Sequence, residues 1–443
     1  MILKSSEVMI IMLSKRFAVI IGMILLLITF SSFVNFYIDK NDSSKVSKEE
    51  KKLEDKFSDY QIIPNGIGVN VYGRPTENEI KLMKEAGIKW VRIDLVWSNI
   101  EKSKGIYDFR TTGYDQFVGL LQDYDIRPYF ILDYSNELYE KEMSITSDAG
   151  RKAFTKFTEV AVERYKNIGA IWEIWNEPNL ESYWESTPSF EDYTLLVKSI
   201  SLIIRKNDDS SIIVAPALAG VRGDSLNWLE ETFRLNILNY IDAISVHPYR
   251  KMDPETVEMD YDILKTLLKE YSNKNIPIIS GEWGYYLENI KDKEHEEIEQ
   301  AQNIIRMMLI NYLKDVPISI LYEWKNSGTD PRNMHDNYGL MENSENPKLS
   351  YYAVKNFIST LEGYSFLEKL ETQSRADYLL KFVNNEGNVI IVLWTTGTNH
   401  IIDYKYPAGK GKLINMMGEQ RKIDWNKKIS IELSRSPIYI KIE

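Results

Sequence analysis

Two glutamates stand in unusual settings in this sequence: Glu177 in WNEP, residues 175–178, and Glu282 in SGEWG, residues 280–284. Each closes an apolar and aromatic run, AIWEIWNE (170–177) and IPIISGEW (276–283), that otherwise patterns as a buried strand. Burying a carboxylate costs free energy unless it is partnered, so acidic groups placed this way call for a use. Two carboxyl groups facing each other can divide the labour of breaking a bond, one attacking as nucleophile while the other gives and later takes a proton. The division requires groups of unequal acidity, which burial, neighbouring charge and hydrogen bonding can set.

Composition removes several other chemistries. The chain of 443 residues has no cysteine, which excludes disulfides, thiolate metal sites and a cysteine nucleophile. Its four histidines show no H-E-x-x-H or similar spacing, so neither a metal nor an organic cofactor is expected. A formal net charge of -11 repels nucleic-acid phosphates, and no nucleic-acid partner is expected. Aromatic residues reach 12%, enough for a large core or for flat platforms under the apolar face of a ligand.

The elements that must position the glutamates follow from the pattern around them. Short runs rich in Ile, Val and aromatics alternate with longer stretches of helical period, and eight such runs can be counted: 66–72, 89–97, 127–134, 170–177, 211–218, 243–249, 276–283 and 318–324. Thr76 with Glu79 forms a capping box, and Gly87 stops that helix before the second run. Repeated β-α units of this number predict a TIM (β/α)8 barrel over residues 62–362. An open doubly wound sheet is the structural alternative, but no G-x-G-x-x-G or Walker sequence follows the first run. After residue 362 the pattern changes to paired strands, 378–394 around an Asn/Gly turn and a second pair at 428–443, so residues 363–443 read as a small β-sandwich.

In such a barrel, chemistry gathers at the carboxyl ends of the strands. The residues there are Asn70, Arg92, Asp133, Tyr134, Asn176, Glu177, His247, Tyr249, Glu282, Tyr322 and Trp324. Strand parity puts Glu173, Trp175 and Glu177 on one face of the fourth strand and Ser280 and Glu282 on one face of the seventh. These strands lie on opposite sides of an eight-stranded ring, so Glu177 and Glu282 can meet across its mouth. Carboxyl groups about 5 to 5.5 Å apart define a retaining glycosidase.

Together these motifs resemble the clan A superfamily of retaining (β/α)8 glycoside hydrolases, nearest to family 39 and related exopolysaccharide glycosidases. The resemblance covers about residues 62–361, including residues 325–354 between the eighth strand and the last helix. It implies that Glu177 is the acid/base and Glu282 the nucleophile. It further implies Asn176 on the sugar 2-hydroxyl, Arg92, His247 and Tyr249 in substrate binding, and Trp324 as a sugar platform. Asn70, Asp133 and Tyr134 join the substrate-binding set by strand-end position alone.

Plainer roles compete for some of these. Arg92 and Glu173 suit a buried structural pair as well as they suit sugar contact, and Arg92 can also favour an ionised nucleophile by its charge. His247 could be a satisfied core histidine; Tyr249 would orient Glu282 by donating to it. Packing explains Trp172 and Trp175 as well as stacking does.

The amino terminus reads differently. Residues 17–38 carry no charge and are long enough to cross a bilayer; with Lys15 and Arg16 before them, residues 1–16 stay cytoplasmic and the remainder goes outward. Residues 39–61, mostly charged, read as a stem. The expectation is a single-pass cell-membrane protein with its barrel outside the cytoplasm, the alternative being secretion after signal cleavage. The expected activity is retaining hydrolysis of an extracellular poly- or oligosaccharide, endo-acting and on an exopolysaccharide. The alternatives are a catalytically silent carbohydrate-binding barrel in a polysaccharide assembly apparatus and an exo-acting glycosidase on oligosaccharides.

Overall fold

The computed structural model describes residue 51 and residues 53–443, apart from 186, 288–291 and 331. The expected membrane span at 17–38 lies outside the described residues; among them, no helix is long and apolar enough to cross a membrane. The far end of the expected stem is not a solvated linker. Phe57 and Tyr60 are buried, the Tyr60 ring meets Trp90 edge-on at 5.7 Å, and Lys56 reaches Asp242 at 3.3 Å. Two aromatic rings supply the apolar surface that the charged part of the stretch lacks.

Eight parallel strands close into a barrel: β1 (Ile67–Asn70), β2 (Trp90–Val96), β3 (Arg127–Asp133), β4 (Ile171–Ile174), β5 (Ile212–Ala219), β6 (Ala243–His247), β7 (Ile278–Trp283) and β8 (Ser319–Leu321). The ring is shut by β8 pairing with β1, Gly68 beside Ile320. Among the described residues, eight helices of ten residues or more follow in turn, α1 (Glu77–Ala86), α2 (Tyr114–Asp123), α3 (Asp148–Tyr165), α4 (Phe190–Asn207), α5 (Asp224–Arg234), α6 (Val257–Tyr271), α7 (Lys293–Leu313) and α8 (Leu349–Leu361). The first begins at the capping box: Thr76 accepts from the Glu79 amide while the Glu79 carboxylate accepts from the Thr76 amide at 2.8 Å. It ends at Gly87, whose φ of 85° is the left-handed conformation that glycine adopts without steric cost.

Beyond the barrel lie two antiparallel sheets. The larger has the order β14-β13-β16-β11-β10-β9 and the smaller pairs β12 with β15, from β9 (Tyr364–Lys369), β10 (Asp377–Asn384), β11 (Val389–Thr395), β12 (His400–Lys405), β13 (Gly409–Ile414), β14 (Gln420–Trp425), β15 (Lys428–Leu433) and β16 (Ile438–Ile442). The hairpin of β10 and β11 is the one expected at 378–394. The last two strands do not pair with each other: β15 joins β12, whereas β16 lies between β11 and β13. Their apolar residues meet across the layers instead, Ile429, Ile431 and Leu433 packing with Leu379, Ile391, Leu393 and Ile440.

A buried ion pair ties the large sheet to the barrel. Arg306 of α7 is fully buried and donates through Nε to Glu255 at 2.7 Å, with Asp253 at 3.1 Å; the Trp394 indole of β11 donates to the same Glu255 at 2.6 Å. Removing one partner of such a pair leaves the other charge uncompensated. Glu255→Leu is therefore expected to destabilise the fold by about 3 kcal/mol, the low end of the usual cost because Asp253 remains. A urea unfolding midpoint unchanged from wild type would refute this, and Arg306→Met added to Glu255→Leu is expected to recover part of the loss.

Candidate active site

The carboxyl ends of the strands converge on Arg92, which is 1% exposed. Its side chain points into the ring from β2, and all five of its N–H groups have acceptors. Nε donates to Glu173 at 2.7 Å; one terminal nitrogen reaches Asn70 at 2.9 Å and Glu282 at 2.6 Å; the other reaches Asn176 at 2.8 Å and approaches His247 Nε2 at 3.4 Å. Burial opposes the guanidinium charge, but Glu173 and Glu282 outweigh it and keep the group firmly protonated. The buried pair of Arg92 with Glu173 and the contact with Glu282 are both present.

Glu177 lies just past the end of its strand. Regular β4 stops at Ile174, and both Trp175 (φ 68°) and Glu177 (φ 48°) take left-handed backbone. Each such non-glycine residue costs on the order of 1 kcal/mol, and outliers of this kind cluster at functional sites. The face shared by Glu173, Trp175 and Glu177 on strand parity is therefore lost: Trp175 turns toward the helices, packing on Phe154 and Trp184 and donating to the Tyr183 carbonyl at 2.7 Å. The Glu177 amide is held by the Ala217 carbonyl at 3.1 Å, at an irregular step in the β5 register. Its carboxylate meets His247 Nδ1 at 2.7 Å. Arg92 has only donors, so the ring nitrogen facing it is the accepting one, and Nδ1 carries the hydrogen that binds Glu177.

The seventh strand also departs from simple alternation. Ser280 is buried on the side of Tyr261 of α6, while Gly281 faces the interior; a Cβ there would sit 2.1 Å from Ser245 Oγ and 3.3 Å from Glu173. Ser280 and Glu282 thus do not share a face. The register between β7 and β8 shifts between Ser280 and Trp283, and bulges of this kind re-aim side chains. Glu282 is turned to the mouth, where Tyr249 donates to one carboxylate oxygen at 2.8 Å and Arg92 to the other. Burial, with the charge of Glu282 added, pushes the Tyr249 phenol well above its usual range and keeps it a donor.

One oxygen of Glu177, one of Glu282 and a nitrogen of His247 lie within 4.8 Å of one another. Three such donors could hold a metal ion, but each is already engaged: His247 with Glu177, and Glu282 with Tyr249 and Arg92. A cation would also stand beside the Arg92 charge. The arrangement leaves two carboxylates flanking one small space, each with its own partners.

Other expected residues divide. Asn70 and Asn176 belong to the Arg92 cluster. Tyr134 borders Asn176 and stacks on Tyr183 at 6.0 Å. Asp133 is fully buried with neither oxygen beside a fixed donor. Burial, then the nearby Asp94, holds its carboxyl far above the usual range. Trp324 is a correction: it is 1% exposed and meets Tyr351 edge-on at 6.0 Å, so it offers no open face as a sugar platform. Trp172 is likewise buried, stacked on Phe130 at 5.0 Å.

Several residues at the site escaped the sequence reading. Asp94 shares the inward parity of Arg92 and could have been found from it. Tyr129 donates to Glu173 at 2.8 Å beneath Arg92. Glu323 is 1% exposed; burial raises its carboxyl to about 7, against bonds from Ser327 that favour the charge. Nothing in the adjacent YEW sequence marks it, because its burial comes from the distant segment after β8.

The cellulase (glycosyl hydrolase family 5) family model matches residues 54–330. No curated protein matches the sequence. Among solved structures the chain is similar to a family 39 glycoside hydrolase from the gut symbiont Bacteroides cellulosilyticus WH2, at 24% identity and a TM-score of 0.75 over 87% of this chain and 82% of that one. It is also similar to a monomeric beta-xylosidase from Caulobacter crescentus CB15, at 15% identity and a TM-score of 0.64 over 85% of this chain and 96% of that one. A GH30 endoxylanase from Clostridium papyrosolvens C71 matches at 13% identity and a TM-score of 0.61, over 85% of this chain and 95% of that one. At these identities the solved structures bear on the fold, and the family model covers more than half of the sequence. The chain therefore belongs to the cellulase (glycosyl hydrolase family 5) family of the clan A barrels, with family 39 among its structural neighbours, and is a glycoside hydrolase.

Proposed function

We propose that the protein hydrolyses O-glycosidic bonds of an extracellular poly- or oligosaccharide by double displacement with retention, acting within the chains of a polymer, an exopolysaccharide. The observation that carries this reading is the pair of carboxylates, Glu177 and Glu282, with oxygens within 4.8 Å, the short separation that suits direct attack by one of them. A water molecule placed between the groups, as inversion needs, calls for a spacing of ~6.5–9.5 Å.

In the first step a Glu282 oxygen attacks the anomeric carbon while the bond to the leaving oxygen breaks, and Glu177 gives that oxygen its proton. In the second, Glu177 takes a proton from water as the water oxygen attacks the same carbon, and the ester to Glu282 breaks. Arg92 and Tyr249 fix the attacking carboxylate from two sides, and the His247 N–H fixes Glu177. Asn176, held by Arg92, would bond the sugar 2-hydroxyl.

The membrane tether is part of the proposal and rests on residues 17–38 with Lys15 and Arg16 before them. Membranes of producing cells washed with alkaline carbonate are expected to retain the chain. Release of the chain, or a mature amino terminus beyond residue 38, would remove the tether.

Two measurements test the chemistry. A 2-fluoro glycoside matched to the sugar is expected to label the peptide that contains Glu282; labelling of another residue, or none across a broad panel of sugars, would sink the assignment. Glu177→Ala is expected to lower kcat about 10³-fold on substrates with poor leaving groups, and much less on activated aryl glycosides. Azide should restore turnover and give a product of retained configuration; an inverted product would exclude double displacement.

A further inference from the structure

The strand end that serves both carboxylates runs straight into a clamped loop. His247, on Glu177, and Tyr249, on Glu282, stand either side of Pro248, and the loop that carries Tyr249, residues 248–256, closes with a short helical turn at Pro254–Thr256 before α6. Arg250 ties its two ends together. Its Nε donates to the Pro248 carbonyl at 3.1 Å, one terminal nitrogen donates to Thr256 Oγ1 at 3.0 Å, and the other reaches Asp260 of α6 at 3.0 Å. Pro248 and Arg250 flank Tyr249, so this clamp fixes the backbone from which the phenol projects.

The far end of the loop is held from outside the barrel. Trp394 of β11 donates to Glu255 at 2.6 Å, and Arg435, between β15 and β16, pairs with Asp253. The Trp394 ring is fully buried and stacks on Tyr378 at 4.8 Å, and the Tyr378 hydroxyl donates to Glu258 at the start of α6 at 2.8 Å. Arg306 meets both Glu255 and Asp253 from the barrel side, so neither acid needs the sheets for its charge. What the sheets add is direction: an indole N–H and a second guanidinium hold the same two side chains from the opposite flank. Loops that carry site residues open at low cost unless contacts of this kind tie them down.

We infer that the sheets beyond the barrel position the nucleophile: through Trp394 and Arg435 they hold the 248–256 loop closed on Arg250, and so keep the Tyr249 hydroxyl on Glu282. Trp394 and Arg435 are positioning residues, acting through Tyr249 and not on the sugar. The inference rests on the reading of Glu282 as the attacking group and adds to it a role for the strands after residue 363.

The test follows labelling of the full-length chain by the 2-fluoro glycoside that marks Glu282, as a function of its concentration, which separates the affinity of the reversible complex from the rate constant of attack. Trp394→Phe with Arg435→Gln keeps an aromatic ring on Tyr378 and removes both contacts to the loop. The rate constant of attack is expected to fall about tenfold, the order of one hydrogen bond to a charged group, with the affinity unchanged. Added to Tyr249→Phe, the same two changes should cost nothing further, because the hydroxyl they hold is already gone. Ile429→Ala, which opens the packing between the sheets at the end of β15 away from Arg435, should lower the urea unfolding midpoint and leave the attack rate as in wild type. An unchanged attack rate in the Trp394 and Arg435 variant, a full additional loss on top of Tyr249→Phe, or an equal slowing by Ile429→Ala would each overturn the inference while the label on Glu282 leaves the glycosidase reading standing. A wild-type chain labelled elsewhere or nowhere would instead sink that reading, and the inference with it.

Discussion

The site depends on one buried guanidinium. Arg92 has no route to water, and a charge in that position is tolerated only when its donors are all met and opposite charge lies close. Glu173 below and Glu282 above supply that charge, and Asn70, Asn176 and His247 take the remaining donors. Each of those residues is consequently fixed by a demand of the fold, Glu282 among them. His247, oriented by Arg92 at one nitrogen, orients Glu177 with the other. A single side chain thus couples the placement of both glutamates, one directly and one through an imidazole.

Local backbone irregularity completes that placement. Both glutamates sit where regular strand geometry fails: Glu177 is the second of two left-handed residues separated by Asn176, and Glu282 lies at a shifted register between β7 and β8. Regular alternation would have put Trp175 inside the barrel and turned Glu282 toward the helices. The irregular steps are held by packing, Trp175 between Phe154 and Trp184 and Gly281 against Ser245 where no side chain fits. Strain at these points is offset by the surrounding core, as expected when geometry serves a site.

This explains what the sequence could and could not reveal. Strand positions were legible because eight apolar runs bounded by turn and helix signals leave few other arrangements, and all eight strands lie at those runs. The meeting of Glu177 and Glu282 was legible from strand order around a closed ring. The parity argument offered for it was unsound on both strands, since bulges and left-handed residues leave no periodic trace. Trp324 illustrates a different limit: its neighbour Tyr351 is set by the docking of α8, which local sequence does not encode. Likewise β15 and β16 were separable only through cross-layer packing, not through their similar alternation.

The acids that border the site show how a crowded carboxylate environment remains usable. Asp133 is fully buried with no fixed donor, and burial with the nearby Asp94 holds its carboxyl far above the usual range. A carboxyl kept neutral by burial adds no negative charge beside the Arg92 cluster. Asp94, partly exposed near the end of β2, is itself shifted upward, by burial first, while the Arg92 charge works against that shift. Hydroxyl groups, which both donate and accept, match such surroundings better than a carboxylate would, because an added anion would face Glu173, Glu282 and the acid pair with Arg92 as the cation at their centre.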